Sequence, residues 1–332
     1  VIGRIQQRYP YGVRKFDPFN ARFFLILGGV TESKAGNVYF SDIDKGVFKT
    51  KAITQGTGSM TGAFAQASAT GQKTCGGRLL YFGGFNGTIS TNSIQRTFTS
   101  TGANTIAYGV LGGFSLFRNY SAGNDVLALL MGGKIVFFEV SAVTRKFFST
   151  NADNTPFGTL VPFGDAFGDA EGTSNSVNAI TTGGFRGGGG PNSGVRNNIT
   201  INPFKTFAKI TGERVDVLVT ERQRHGQIAN EVTVISGGGS STSSNFLSSM
   251  EVFPIKNPFA AATVFGEFAE GVTKISSASS QVTGIFSWGQ ISGEGFIYRD
   301  KVDFINVKNK SDTKVFSTLG RNRGFTDASE GS

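Results

Sequence analysis

The chain has 332 residues, a formal net charge of +9, 47 Gly, 8 Pro, one Cys and one His. One cysteine, Cys75, excludes an intramolecular disulfide framework and a cysteine-rich zinc site, and 38% hydrophobic residues are too many for a disordered chain. No apolar run approaches the roughly 20 residues that span a bilayer, so no membrane insertion is expected.

Residues 1–20 carry Arg4, Arg8, Arg14 and Lys15 against Asp17 and lie outside the repeats of the remaining chain. We read them as a basic N-terminal arm that docks on a neighbouring protein, Arg and Tyr being enriched at interfaces. A strand packed on the rim of the main domain is the alternative.

From residue 21 to 332 the chain repeats. An apolar run meets a diglycine at Gly28-Gly29, Gly83-Gly84, Gly132-Gly133, Gly183-Gly184 and Gly237-Gly238, and a degenerate sixth copy has Gly289 followed by Gln290. The first glycines are 55, 49, 51, 54 and 52 residues apart, a period of the length expected for propeller blades. Each period opens on a small-residue stretch, as in Tyr120 to Gly123, Ile228 to Glu231 and Ser277 to Ser280, and continues into the apolar strand. An alternating strand should follow the diglycine, as in Val38 to Ile43, Ile135 to Val140 and Val302 to Val307. A last strand often carries Phe and Gly, as in Phe163-Gly164-Asp165 and Phe265-Gly266-Glu267. The pattern predicts an all-β, six-bladed propeller with four antiparallel strands per blade. The final small-residue copy, Asp327 to Glu330, has no strand after it, and the first apolar strand, Phe23 to Leu27, has no such copy before it. Arg323 to Ala328 should therefore supply the inner strand of blade 1 and close the ring. A phosphate-cradling role for the glycines would need a helix after them, and a strand follows instead.

Candidate sites are sparse. Asp42, Asp44 and Gly46 have the alternating carboxylates of a calcium loop without its closing Glu, and a hairpin turn with Gly46 in a left-handed bulge is the preferred reading. The acidic run from Phe163 to Glu171 reads as a solvated loop. Gly183 to Gly190, GGFRGGGG, has one Arg where RNA-binding Arg-Gly segments repeat theirs. His225 alone cannot build a copper site of the galactose-oxidase kind, and no G-x-S-x-G elbow accompanies it for a Ser-His-Asp triad. No catalytic, cofactor or metal residues are assigned. Arg118, Arg222, Arg224, Lys274, Arg321 and Arg323 recur beside the inner-strand segments. Arg118, Arg224, Lys274 and Arg323 in particular would face a polyanion if they line one mouth of the channel; scattered surface charge is the alternative.

The diglycine after the second blade strand and the repeat length resemble the Kelch-type β-propeller over about residues 21 to 332. The usual Tyr and Trp after the diglycine are missing, and Phe takes their packing role. The Phe-Gly-Asp and Phe-Gly-Glu stretches, with Asn257-Pro258-Phe259, are similar to Kelch-like repeats of tailed-bacteriophage virion proteins. That resemblance implies a non-enzymatic structural, adaptor or adhesion protein of a virion tail, baseplate, fibre or portal-proximal adaptor. Its partners would be other virion proteins in a symmetric assembly, with DNA or glycan as further contacts. The rival is a secreted or cell-surface carbohydrate-binding propeller using Tyr120, Phe85 and Asn86.

Overall fold

A computed structural model describes residues 22–33, 36–71, 77–112, 115–116, 118–135, 138–151, 153–159, 167–175, 177–186, 194–205, 213–214, 217–241, 245–256, 260–280, 282–291, 297–319, 321–324 and 327–331. The basic arm, with Arg4, Arg8, Arg14 and Lys15, lies outside them, as do Cys75 and the first Phe-Gly-Asp stretch.

The fold is an all-β, six-bladed propeller of antiparallel sheets. From the axis outward, blade 1 is Asp327–Gly331, Phe23–Leu27, Asp42–Val47 and Ala52–Ser59, and blade 2 is Ser68–Gly71, Arg78–Phe82, Ser93–Phe98 and Ile106–Val110. Blade 3 is Tyr120–Gly123, Leu127–Met131, Ala142–Phe147 and Thr155–Thr159, and blade 4 is Glu171–Ser174, Asn178–Thr182, Ile199–Pro203 and Glu213–Arg214. Blade 5 is Gly226–Ala229, Thr233–Gly237, Leu247–Pro254 and Thr263–Thr273, and blade 6 is Ser276–Ser279, Thr283–Ser287, Lys301–Asn306 and Lys314–Thr318. Each inner strand packs beside the next around the axis, and that of blade 6 packs beside Asp327–Gly331. The blade 1 inner strand begins at Asp327, pairing with Leu27, four residues later than the sequence suggested. Arg323, placed in that strand by pattern alone, is instead a buried linker residue.

The apolar second strands have both faces covered, which is why they do not alternate. Leu25 and Leu27 join Leu79 and Tyr81 of blade 2, whereas Phe24 and Ile26 join Ile285 and Val302 of blade 6. The inner strands read as small residues because they approach one another through their backbones. Ser277 Oγ accepts from Gln227 N (2.8 Å) and donates to Gln227 O (2.9 Å), and Ser279 Oγ donates to Ala229 O at 2.8 Å.

Three parts of the repeat differ from the sequence reading. First, the glycine register of blade 5 is one residue later. Gly28, Gly83, Gly132 and Gly183 have φ between 54° and 66°, and in blade 5 that backbone belongs to Gly238, with Gly237 ending the strand. Secondly, in blade 6 Trp288 stands at the first-glycine place, donating from its backbone to Lys301 O as Gly28 does to Asp42 O. Gly289 is therefore the second glycine, and its carbonyl accepts from Arg299 N as that of Gly29 accepts from Phe40 N. A Cβ on Gly289 would sit 2.2 Å from Lys274 O, so close backbone approach holds this glycine. Thirdly, two of the alternating stretches are not third strands. Val38 and Ile135 fall in short hairpins, Val30–Ser33 with Gly36–Tyr39 and Lys134–Ile135 with Phe138–Glu139, ahead of the true third strands. Further hairpins follow the glycines of blades 4 and 6: Phe185–Arg186 with Gly194–Val195, and Gln290–Ile291 with Ile297–Tyr298.

Candidate functional site

Antiparallel pairing puts the start of each inner strand beside the end of the second strand, so linkers, diglycines and hairpins share one face of the disc. At that face, the residue two positions ahead of the inner strand adopts left-handed backbone in five successive blades: Gln66, Arg118, Asp169, Arg224 and Lys274, with φ from 51° to 58°. The equivalent of blade 1, Phe325, lies outside the described residues. The turn from linker into inner strand demands this geometry, and an L-residue there costs about 1–2 kcal/mol against none for glycine. This chain uses glycine at its other recurrent left-handed position, just after the second strands. Here it places long polar side chains around the channel instead.

Those side chains converge. Arg118 Nε donates to Gln66 Oε1 (3.1 Å), and Arg118 Nη1 and Arg224 Nη2 both reach Asp169 Oδ2, at 3.2 and 3.1 Å. Lys274 Nζ donates to Tyr298 OH at 2.7 Å, tying the ring to the blade 6 hairpin. Burial works to raise the Asp169 pKa, but the Arg224 and Arg118 guanidiniums outweigh it and hold the carboxyl below its usual value. The Asp169 side chain is 8% exposed and both arginines 25%, so the acid is the floor of the cluster and the two guanidiniums are its rim, with Lys274 buried beside them. Together with Ala67, Asn119, Ala170, Glu171 and Ile275 they line a solvent-open pocket of about 50 Å³. That volume holds a few water-sized atoms, on the scale of one oxyanion group.

The structure thus brings together three of the four cations assigned to a channel mouth and removes the fourth. Arg323 is 1% exposed and its Nη2 is bound to Asp44 Oδ2 at 2.6 Å. Arg222 is likewise buried, against Glu251, while Arg321 pairs with Asp42 at 3.1 Å on the surface. With Asp42 and Asp44 engaged by arginines, the calcium reading loses its ligands. The predicted left-handed bulge at Gly46 is also absent: Gly46 lies within Asp42–Val47, where a Cβ would strike the Phe24 ring at 2.0 Å. Among the described residues no group of three His, Cys, Asp or Glu could hold a metal ion. His225 is fully buried, its Nε2 2.8 Å from Thr182 Oγ1. Tyr120 is 3% exposed and so is not presented to a glycan, whereas Phe85 and Asn86 are half-buried, with Asn86 Oδ1 accepting from Thr88 and Ile89 N. Sequence reasoning missed Gln66 and took Asp169 for a solvated loop residue. Their fixed offset ahead of the small-residue stretch was the signal.

No family model matches the chain, and no curated protein matches it. A solved structure titled "Structure of YjhT" is similar, with a TM-score of 0.58 and 15% identity over 74% of this chain and 82% of that one. At that identity the likeness concerns the fold alone.

Proposed function

We propose that this chain is a non-catalytic binding module, a stiff disc that engages its partner through the face carrying the hairpins and the channel mouth. The observation that carries the reading is that concentration: among the described residues four hairpins and the cationic pocket share one face of a ring whose interior is packed blade against blade. Loops on a rigid scaffold are where binding surfaces are built. The burial of the chain's one histidine fits a role without catalysis. For the setting we propose the virion of a tailed phage, as a tail, baseplate, fibre or adaptor component, on the strength of the Phe-Gly-Glu repeat variant. Within the fold that stretch clips blades together: a Cβ on Gly266 would lie 2.1 Å from Ser311 O, and Glu267 N donates to Asp312 Oδ1 at 3.0 Å.

Val38 and Ile297 are exposed on the hairpins, and Val126 and Val177 are exposed at the turns of the opposite face. V38D and I297D should each abolish capture of the native neighbour from purified particles, with V126D and V177D leaving it intact. The reverse pattern would overturn the assignment of the face. Absence of the chain from any particle, with binding on a glycan array, would favour the lectin-like rival.

A further inference from the structure

Deepening the reading of that face as the binding face, we infer that the channel mouth is a receptor site for one oxyanion group, a carboxylate or phosphate borne by a small molecule, held among Arg118, Arg224 and Lys274. Three independent features converge on it. The first is retention of long polar residues in left-handed backbone at one structural position of five blades, in a chain with 47 glycines. Strain of that kind, repeated at a channel mouth, points to what the side chains present. The second is charge: Arg118, Arg224 and Lys274 face Asp169 and Glu171 in the pocket lining, which leaves an excess of one positive charge. Asp169 uses a single oxygen, Oδ2, to fix both guanidiniums, and so acts as a positioning residue. A guanidinium has five N–H donors in a planar fork suited to carboxylate and phosphate; Asp169 takes one from each arginine, and Arg118 gives a second to Gln66. The third is size, since about 50 Å³ has room for an oxyanion group and the pocket's open side leaves the rest of the molecule in solvent.

The same geometry argues against a polyanion. A DNA strand presents one charge per roughly 3.4 Å along its axis and is met by a row of cations. Here the cations cluster around one pocket, and Arg323, which would have lengthened the row, is buried on Asp44.

The test is calorimetric titration of the purified full chain with inorganic phosphate, with acetate and with a short DNA duplex, at constant ionic strength set by sodium chloride. Saturable binding of phosphate or acetate is expected, and the tighter of the two identifies the group. R224Q and K274Q should each weaken it about tenfold, the scale of losing one charge-assisted contact. D169N keeps an amide oxygen to hold both guanidiniums in place and removes one competing charge, so it should strengthen binding severalfold, a gain that a merely structural Asp169 would not produce. Circular dichroism checks that each variant folds, and K274Q serves if R224Q does not. No saturable binding of either anion by wild type and D169N overturns the inference, as does binding indifferent to both R224Q and K274Q. Salt-dependent binding of the duplex alone overturns it in favour of a polyanion surface. Because no partner protein is present, these outcomes are separate from the fate of the hairpin-face reading.

Discussion

The seam between blades 2 and 3 and the seam between blades 4 and 5 share one backbone frame and fill it with opposite chemistry. In the first, the linker residue four positions ahead of the inner strand is Leu116, which accepts from Gly84 N at 2.9 Å through its carbonyl and packs its side chain among Leu80, Phe82 and Ile94. In the second, the same place is Arg222, whose carbonyl accepts from Gly184 N at 2.8 Å. Its fully buried guanidinium donates to Gly238 O (2.9 Å), Ser249 O (3.1 Å) and Glu251 Oε1. Glu251 in turn accepts from Val219 N and Thr220 N, at 2.7 and 3.1 Å. The seam between blades 6 and 1 follows the charged plan, with Arg323 on Asp44. The backbone therefore sets where blades meet and leaves the wedge free to vary. An apolar wedge loses stability in proportion to what is removed, whereas a buried ion pair is fragile to the loss of either partner alone.

The largest effect should come from the seam that joins the chain ends. Removing residues 323–332 strips Arg323 from Asp44 and uncovers the Phe23–Leu27 edge. The loss should be comparable to the stability of an ordinary domain, on the order of 5–15 kcal/mol, seen as disappearance of cooperative thermal unfolding. An unchanged melting curve would refute the role given to that strand.

Next comes the wedge itself. R222L leaves Glu251 buried without its cation and should cost about 3–5 kcal/mol by urea denaturation. R222L/E251Q, which removes both charges and keeps one amide oxygen where Val219 and Thr220 N–H each had a carboxylate oxygen, should recover part of that loss. L116A, in the apolar seam, should cost about 2–5 kcal/mol with no such rescue available. If the double variant is no better than R222L, the two seams differ in more than their wedge.

Much of this frame was legible in sequence because the frame makes repeated demands on residue type. The diglycines and small-residue stretches marked the places where backbones touch, and the unpaired first and last copies pointed to pairing between the chain ends. Register was less legible where composition was degenerate: VISGGG offers three glycines for two places, and Trp288 fills one by its bulk, with Lys301 Nζ 3.8 Å above its ring. The hairpins were misread because a two-stranded ribbon alternates as a blade strand does. The candidate site was half visible, since Arg118, Arg224 and Lys274 stood out by charge. That Asp169 binds two of them, and that Arg323 turns inward, depends on contacts 51 or more residues apart that no local pattern encodes.

A smaller effect tests whether the frame is common to both seams. A Cβ on Gly83 would lie 2.3 Å from Leu116 O and one on Gly183 2.2 Å from Arg222 O, each at left-handed φ. G83A and G183A should cost alike, about 2–4 kcal/mol from backbone strain plus overpacking. G56A supplies the strain alone, because Gly56 has φ of 58° and nothing within 4 Å of its added Cβ, and should cost about 1 kcal/mol. A large difference between G83A and G183A would mean that the wedge shapes the backbone.

The smallest effect belongs to His225, three residues after the charged wedge. Burial, and then the Arg222 charge, hold its pKa well below the usual 6.5, so the folded ring is neutral. Above that usual value both folded and unfolded chains carry a neutral imidazole, and the residue adds no pH dependence. Below it the unfolded chain takes up a proton that the fold refuses, so stability should fall by up to about 1.4 kcal/mol per pH unit until the folded value is reached. With one histidine in the chain, the difference between wild type and H225Q from pH 7 to 5 isolates this contribution from that of the carboxylates, which titrate at lower pH. In R222L/E251Q the second cause is gone, the folded value moves back toward the usual one, and the total loss should shrink. An equal loss with and without Arg222 would show that burial alone keeps the ring neutral, and that the charged wedge acts on Glu251 without reaching its neighbour.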